Sequence, residues 1–317
     1  MNKTSNYGTR VYMNGKISVI VIVGPTASGK SDLGVRIAKK FNGEIISADS
    51  RQVYKDLNIG SAKVKGKWKK GVFMCEGVPH FCIDMISPKR MYTAAEFKES
   101  AKDAILDIAS RGKTPIVVGG TAFWVDTLMY DLDLPEVSPD RVLRKELERK
   151  SVDELLAMLN KLDSRRAARI EQKNPRRLIR AIEIANALGS VPPLSKRNPY
   201  RTLWIGIMPS EKILQYRIAL RCRVMIKAGL IRETKKLLLK GVSKKRMREF
   251  GFEYGDALDV IEKNVAGRDL PSKLTRDTSK YAVRQMRWFK RNHDITWISR
   301  ADKETDLVKA FLLNSIR

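Results

Sequence analysis

Residues 17–31 restrict the fold more than any other segment. Ile17-Ser-Val-Ile-Val-Ile-Val23 is short, β-branched and largely apolar, which reads as a strand buried in a parallel sheet. It ends at Gly24 and runs straight into Gly24-Pro-Thr-Ala-Ser-Gly-Lys-Ser31, a complete G-x-x-x-x-G-K-[ST] sequence. A helix is predicted next, from Gly29 to about Phe41. Strand, glycine-rich loop and helix in that order make a cradle for phosphate. Glycine lets the backbone approach an anion, and the N–H groups of Thr26, Ala27, Ser28 and Gly29 can point at it together with the helix N-terminus. Lys30 neutralises it, and Ser31 can hold a Mg²⁺ bridging two phosphates. The motif says that Gly24–Ser31 binds a diphosphate and is silent on what else the ligand carries.

Further strands are predicted at Glu44–Ala48, at Pro115–Val118 before Gly119-Gly120, at Leu203–Ile207 and at Ile295–Ile298. Leu, Ile and Ala recur at helical spacing over Thr93–Ala109, and long helices are predicted for most of Glu211–Lys240 and for Thr275–Arg291. This alternation predicts an α/β fold, a P-loop NTPase-like parallel-sheet core made of residues 17–136 and 189–317. From about Ser138 to Leu188 the chain is charged, strand-poor and helix-favouring, so residues 137–188 are expected to form a helical insertion domain. Residues 1–16 are polar and carry no acid, and are expected to be a disordered N-terminal extension.

Charge narrows the partners. The 317 residues include 62 Lys and Arg against 35 Asp and Glu, a net +27, and a surface this basic faces phosphate or an acidic membrane. Ile17–Val23 is far too short to cross a bilayer, and no membrane segment is expected. Cys75, Cys82 and Cys222 are too few and too scattered for a disulfide framework and contain no CxxC pair, which fits a reducing, cytoplasmic setting. A phosphate cradle alone suggests an ATPase or a small-molecule kinase binding ATP. Asp49, placed after the strand Glu44–Ala48, could serve such an enzyme as metal ligand or base. That reading explains the loop but not the +27 charge.

An ordered set of motifs resembles the tRNA dimethylallyltransferase family. The set starts with Gly24–Ser31, Ile46-Ser-Ala-Asp-Ser-Arg-Gln-Val-Tyr54 and Ile59-Gly-Ser-Ala-Lys63. It continues through Gly77-Val-Pro-His80, Tyr92-Thr-Ala-Ala-Glu-Phe97 and Val118-Gly-Gly-Thr121. Asn174-Pro-Arg-Arg-Leu-Ile-Arg-Ala-Ile-Glu183, Tyr281-Ala-Val-Arg-Gln285 and Trp288-Phe289 complete it, so that it spans nearly all of the chain after residue 16. The resemblance implies transfer of a dimethylallyl group from dimethylallyl diphosphate to N6 of the adenosine 3′ of the anticodon, with tRNA (its anticodon stem-loop) as partner, Mg²⁺ as cofactor and a monomeric chain.

The same resemblance implies roles for residues. Asp49 would orient N6 and take its proton, with Thr121 a polar partner at the same centre. Arg217 and Arg221, one helical turn apart, would flank the diphosphate. Asp49, Ser50, Arg51 and Gln52 would contact tRNA, as would the Arg176, Arg177 and Arg180 stripe, then Arg248, Gly251 and Phe252, and Arg284 with Gln285. The chain departs from the family pattern at Trp124, Phe81, Arg287, Phe252 and Arg223, where Tyr, His, Thr, Tyr and Asp are usual. Trp124 for Tyr keeps an aromatic wall but loses a hydroxyl, which bears on the prenyl pocket or on base stacking. An adenylate isopentenyltransferase acting on free AMP, ADP or ATP shares the loop and the Asp49 motif. The charge, the insertion and the basic C-terminal half favour a macromolecular acceptor instead. No DDxxD carboxylate pair of the isoprenoid-chain synthases is present. A non-enzymatic RNA-binding module with a dead loop is countered by intact Lys30, Ser31, Asp49 and Thr121.

Overall fold

The computed structural model describes residues 12–13, 15–299 and 304–313. Its strands are β1 (Tyr12–Met13), β2 (Lys16–Val23), β3 (Gly43–Ser47), β4 (Lys67–Lys69), β5 (Val72–Cys75), β6 (Val78–Phe81), β7 (Thr114–Val118), β8 (Tyr200–Ile207) and β9 (Ile295–Ile298). The first helices are α1 (Lys30–Lys40), α2 (Ala94–Ser110) and α3 (Ala122–Met129). Then come α4 (Arg141–Leu147), α5 (Val152–Leu162), α6 (Ser164–Arg169) and α7 (Pro175–Leu188). The C-terminal part holds α8 (Glu211–Ala228), α9 (Leu230–Leu239), α10 (Lys244–Phe250), α11 (Phe252–Ile261), α12 (Leu270–Phe289) and α13 (Glu304–Leu313).

The strands form one sheet in the order β4-β5-β6-β3-β7-β2-β8-β9. From β6 to β9 all neighbours are parallel, while β4 and β5 add an antiparallel edge. Both faces of the parallel part are covered, so its strands carry apolar side chains on each side. Val19, Val21 and Val23 of β2 join the core with α2, α3 and the C-terminal helices, whereas Ile20 and Ile22 join the core with α1 and α13. Alternation with period two thus feeds both layers from one run of sequence. Thr93 caps α2 through a reciprocal capping box with Glu96, which starts that helix where the sequence predicts.

Two features differ from the sequence expectations. Of the extension expected over 1–16, residues 1–11 and 14 lie outside the described residues, but Tyr12–Met13 pairs antiparallel with the start of β2. The β4–β6 meander was not expected, because Lys67-Trp68-Lys69 is exposed throughout and carries no alternation of burial. Helices fill most of Glu211–Lys240, as expected, in two pieces that part where Gly229 adopts φ +105°. Among the described residues no helix is long and apolar enough to cross a membrane.

The chain divides into two compact units, residues 1–131 with 198–317, and residues 132–197. The second unit carries α4 to α7 around Leu147, Leu155, Leu159, Leu178 and Ile182. Within it Glu183 is buried and accepts a two-pronged ion pair from Arg144 at 2.6 and 2.7 Å. Burial alone would raise the Glu183 carboxyl, but Arg144 and then Arg180 hold it below the usual range.

Candidate active site

The C-terminal ends of β2, β3 and β7 meet at one cavity. It is lined by Thr26, Lys30 and Ser31 from the loop after β2, by Asp49, Arg51 and Gln52 after β3, and by Gly119 and Gly120 after β7. Arg221 of α8, Glu253 of α11 and Tyr281 and Gln285 of α12 close it. An open α/β sheet binds ligands at the carboxyl ends of its strands, where consecutive connections part to opposite faces.

The loop is shaped by its own backbone. Gly24 has φ +146°, and a Cβ there would lie 2.6 Å from the Ile207 carbonyl oxygen, so glycine is required. Ser28 N–H donates to Pro25 O at 3.3 Å and Lys30 Nζ to the same oxygen at 2.6 Å, folding the loop over itself. Two distant side chains fasten it. Gln285 accepts from Thr26 N–H at 2.8 Å and donates to Gly120 O at 2.7 Å. Arg217 donates to Ser28 O at 3.2 Å. Burial first, and then the Arg221 charge, lower the Lys30 ammonium to about 7, partly offset by Asp49. A neighbouring cavity shares Lys30, Ser31 and Arg221 and adds Ala27, Ser28, Gly29 and Arg217, so the loop is reachable from two sides. The Ser28 hydroxyl is buried without a hydrogen-bond partner, an orphan that an oxyanion would satisfy.

Asp49 is held by a turn. Its Oδ1 accepts the N–H groups of Arg51 at 2.9 Å and Gln52 at 3.2 Å. Thr121 braces this segment rather than lining the cavity: its hydroxyl accepts from Ser50 N–H at 3.0 Å and lies 3.2 Å from Ser50 Oγ. Arg51 donates to Phe250 O and lies over the Tyr281 ring, with its carbon 5.6 Å from the centroid. Phe252 packs on the same ring at 5.9 Å, and Arg284 lies over it at 5.7 Å. Glu233 supports the opposite wall, accepting N–H groups of Asn58, Ile59 and Gly60 and the Tyr254 hydroxyl at 2.8 Å.

Other expected residues do not line this cavity. Arg176, Arg177 and Arg180 belong to the 132–197 unit, where Arg177 pairs with Glu171 at 3.2 Å and Arg180 bonds Val137 O and Glu183. Arg248 is exposed and bonds Asp259 and Glu262, each at 2.8 Å. Trp124 does not line this cavity; it stacks on Phe97 at 4.5 Å inside the core. Arg223 and Arg287 are exposed. Sequence reasoning missed His80, Glu253 and Tyr281 as cavity residues. His80 and Tyr281 sit inside quoted motifs, and Glu253 directly follows Phe252, so adjacency was the only available signal. Burial lowers the His80 imidazole, whose Nδ1 faces Val78 O at 2.9 Å.

The arrangement pairs a cationic loop, able to take a diphosphate, with a carboxylate fixed by backbone donors. The IPP transferase family model matches residues 52–292, and an isopentenyl transferase model matches residues 17–71. The tRNA dimethylallyltransferase of Acetivibrio thermocellus is 37% identical over 299 residues, covering 91% of this chain and 94% of that protein. That of Pediococcus pentosaceus is 39% identical over 286 residues, covering 88% and 90%. Among solved structures, the tRNA isopentenylpyrophosphate transferase of Bacillus halodurans matches with a TM-score of 0.69 at 32% identity, over 94% of this chain and 97% of that one. A eukaryotic dimethylallyltransferase acting on tRNA matches with a TM-score of 0.73 at 25% identity, over 94% and 80%. With a family match over residues 52–292 and relatives this similar along most of its length, the chain belongs to the IPP transferase family.

Proposed function

We propose that the protein transfers a dimethylallyl group from dimethylallyl diphosphate to N6 of the adenosine 3′ of the anticodon in tRNA, releasing diphosphate. The observation that carries this reading is the meeting of Lys30, Ser31 and Arg221 with Asp49 in one cavity. A leaving diphosphate gathers negative charge as its C–O bond breaks, and loop N–H groups, Lys30 and the arginines Arg217 and Arg221 meet that charge. The amine is a weak nucleophile because its lone pair is delocalised into the ring. Asp49 orients it and takes its proton as the N–C bond forms. Thr121 acts through Ser50, holding the Asp49 segment.

Mg²⁺ fits this reading. Among the described residues no group of three or more His, Cys, Asp or Glu could hold a metal, which suits an ion leaning on ligand phosphates and water rather than a protein cage. Ser31 would hold it, and the ion would neutralise the departing diphosphate. The reading includes the anticodon stem-loop as the bound part of tRNA, with Ser50, Arg51, Gln52, Arg176, Arg177, Arg180, Arg248, Gly251, Phe252, Arg284 and Gln285 on its side. It also includes a monomeric chain and a cytoplasmic setting, the latter supported by the three free, buried cysteines. Relatives named as tRNA dimethylallyltransferases disfavour the free-nucleotide and kinase alternatives.

Mass spectrometry of nucleosides from tRNA incubated with dimethylallyl diphosphate and Mg²⁺ tests the proposal, with AMP, ADP and ATP as parallel acceptors. Modified adenosine in tRNA alone is expected; modification of free nucleotides alone would overturn it.

Two further outcomes are expected. Basic groups that neutralise phosphate release counterions, so roughly three such contacts imply about a twentyfold loss of tRNA affinity across a fourfold rise in salt. Filter binding over a salt series reads this, and a flat response would contradict a phosphate-gripping surface. Lys30, lowered to about 7, must be charged to grip an anion, and a bound anion raises it again. Affinity for inorganic diphosphate therefore falls as pH rises above this value, by up to about tenfold per pH unit. Calorimetry at about pH 8 in two buffers of different ionisation heat should show proton uptake that Lys30→Met abolishes. Equal uptake in the variant would remove Lys30 from the titration.

A further inference from the structure

Glu253 has no part in the chemistry above, yet it lines the same cavity as Asp49 and is 8% exposed. Its Oε2 is buried with no hydrogen-bond partner. An unpaired buried carboxyl oxygen is costly, and a cavity wall keeps one where a ligand atom completes it. The loop already offers Lys30, Ser31 and Arg221 to phosphate, which leaves Glu253 for another part of the ligand. Glu253 opens α11 directly behind Gly251 and Phe252, and faces Arg51, Arg221 and Asp49 with Tyr281 of α12 beside it. Burial is the largest influence on Glu253 and pushes its carboxyl up; Arg51 and Arg221 pull the other way, and Asp49 adds to the rise.

We infer that Glu253 positions the acceptor base, donating its carboxyl O–H to the ring nitrogen beside the amino group while Asp49 takes the amino hydrogen. The inference rests on the function proposed above, since it needs an aminopurine in the cavity. The two carboxyls then differ in role. Asp49 accepts from the exocyclic amine through the oxygen not engaged by Arg51 and Gln52, and Glu253 in its acid form offers the donor. Adenine presents this donor and acceptor side by side. Guanine presents a ring N–H and a carbonyl oxygen there instead, so it would clash with the acid donor and set its oxygen against Asp49. The pair would therefore choose the base as well as hold it. No bond is made or broken at Glu253, and its proton stays on the side chain through the transfer.

The test uses the full chain, Mg²⁺, dimethylallyl diphosphate and tRNA carrying adenosine, 1-deazaadenosine or 7-deazaadenosine at the target position. Glu253→Ala should lower kcat/KM for adenosine tRNA by about 10- to 100-fold, while KM for dimethylallyl diphosphate stays within about twofold. Glu253→Gln, whose amide N–H donates at every pH, should stay within about threefold of wild type. The 1-deaza base should cost the wild-type enzyme a similar factor and cost Glu253→Ala nothing more, because both remove one hydrogen bond; the 7-deaza base should be tolerated. Inorganic diphosphate binding by each variant checks that the loop has formed. If Glu253→Gln is as impaired as Glu253→Ala, or if the 1-deaza and Ala losses multiply, Glu253 acts only through Arg51 and the inference fails. Wild-type enzyme that prenylates no adenosine tRNA would overturn the proposed function itself, a result separate from either variant outcome.

Discussion

Asp49→Ala is expected to slow prenyl transfer to tRNA by roughly 10²–10⁴, the span for a positioned general base. The structure gives the reason for so large an effect from one carboxyl. Two backbone N–H groups, of Arg51 and Gln52, hold Oδ1, so the side chain is fixed before the base arrives and no ordering is left for the transition state. Binding of tRNA should change far less, since phosphate contacts elsewhere supply most of the affinity. Asp49→Asn is the finer variant, because it keeps the shape and the backbone contacts but takes no proton. Single-turnover rates with saturating tRNA separate chemistry from binding, and nucleotide phosphorylation is followed alongside. Wild-type transfer by Asp49→Asn would reduce Asp49 to an orienting group.

Lys30→Ala is expected to remove about 2–4 kcal/mol of transition-state stabilisation, a drop of roughly 30- to 900-fold in kcat/KM. The ammonium stands at the junction of both loop cavities and is folded onto Pro25 O, so it meets charge that grows on the leaving group. Arg217 and Arg221 remain and keep the loss from being total. Burial first, and then Arg221, lower Lys30, so it is only partly charged before the ligand arrives and ground-state diphosphate binding should fall less than turnover. The measurement compares kcat/KM for dimethylallyl diphosphate with the dissociation constant of inorganic diphosphate. Near wild-type turnover would mean the leaving group sits elsewhere.

The parallel strands and the loop were legible because their signals are local. The β-branched run before Gly24 fills both faces of β2, and the loop motif permits few other backbones. The antiparallel edge was not legible, since Lys67-Trp68-Lys69 lies exposed and its pairing with β5 comes from the sheet rather than from its own pattern. Site geometry was half legible. Lys30, Ser31 and Asp49, chosen by motif, line one cavity. Thr121, expected as a polar partner near the same centre, bonds Ser50 beside Asp49. Glu253 could not be found by pattern: its closeness to Asp49 arises only when α11 folds against a segment some two hundred residues earlier in the chain.

The amide of Gln285 joins Thr26 and Gly120, partners 259 and 165 residues away along the chain. During synthesis this means that the phosphate loop leaves the ribosome long before the helix that fastens it. A nascent chain ending before α12 has the whole diphosphate motif but lacks the clamp on its Thr26 N–H. Diphosphate grip should therefore mature late, once nearly all of the protein has been made. A chain stalled or cleaved ahead of Gln285 would carry the signature of the activity without the means to hold its donor, so partial products would not sequester dimethylallyl diphosphate.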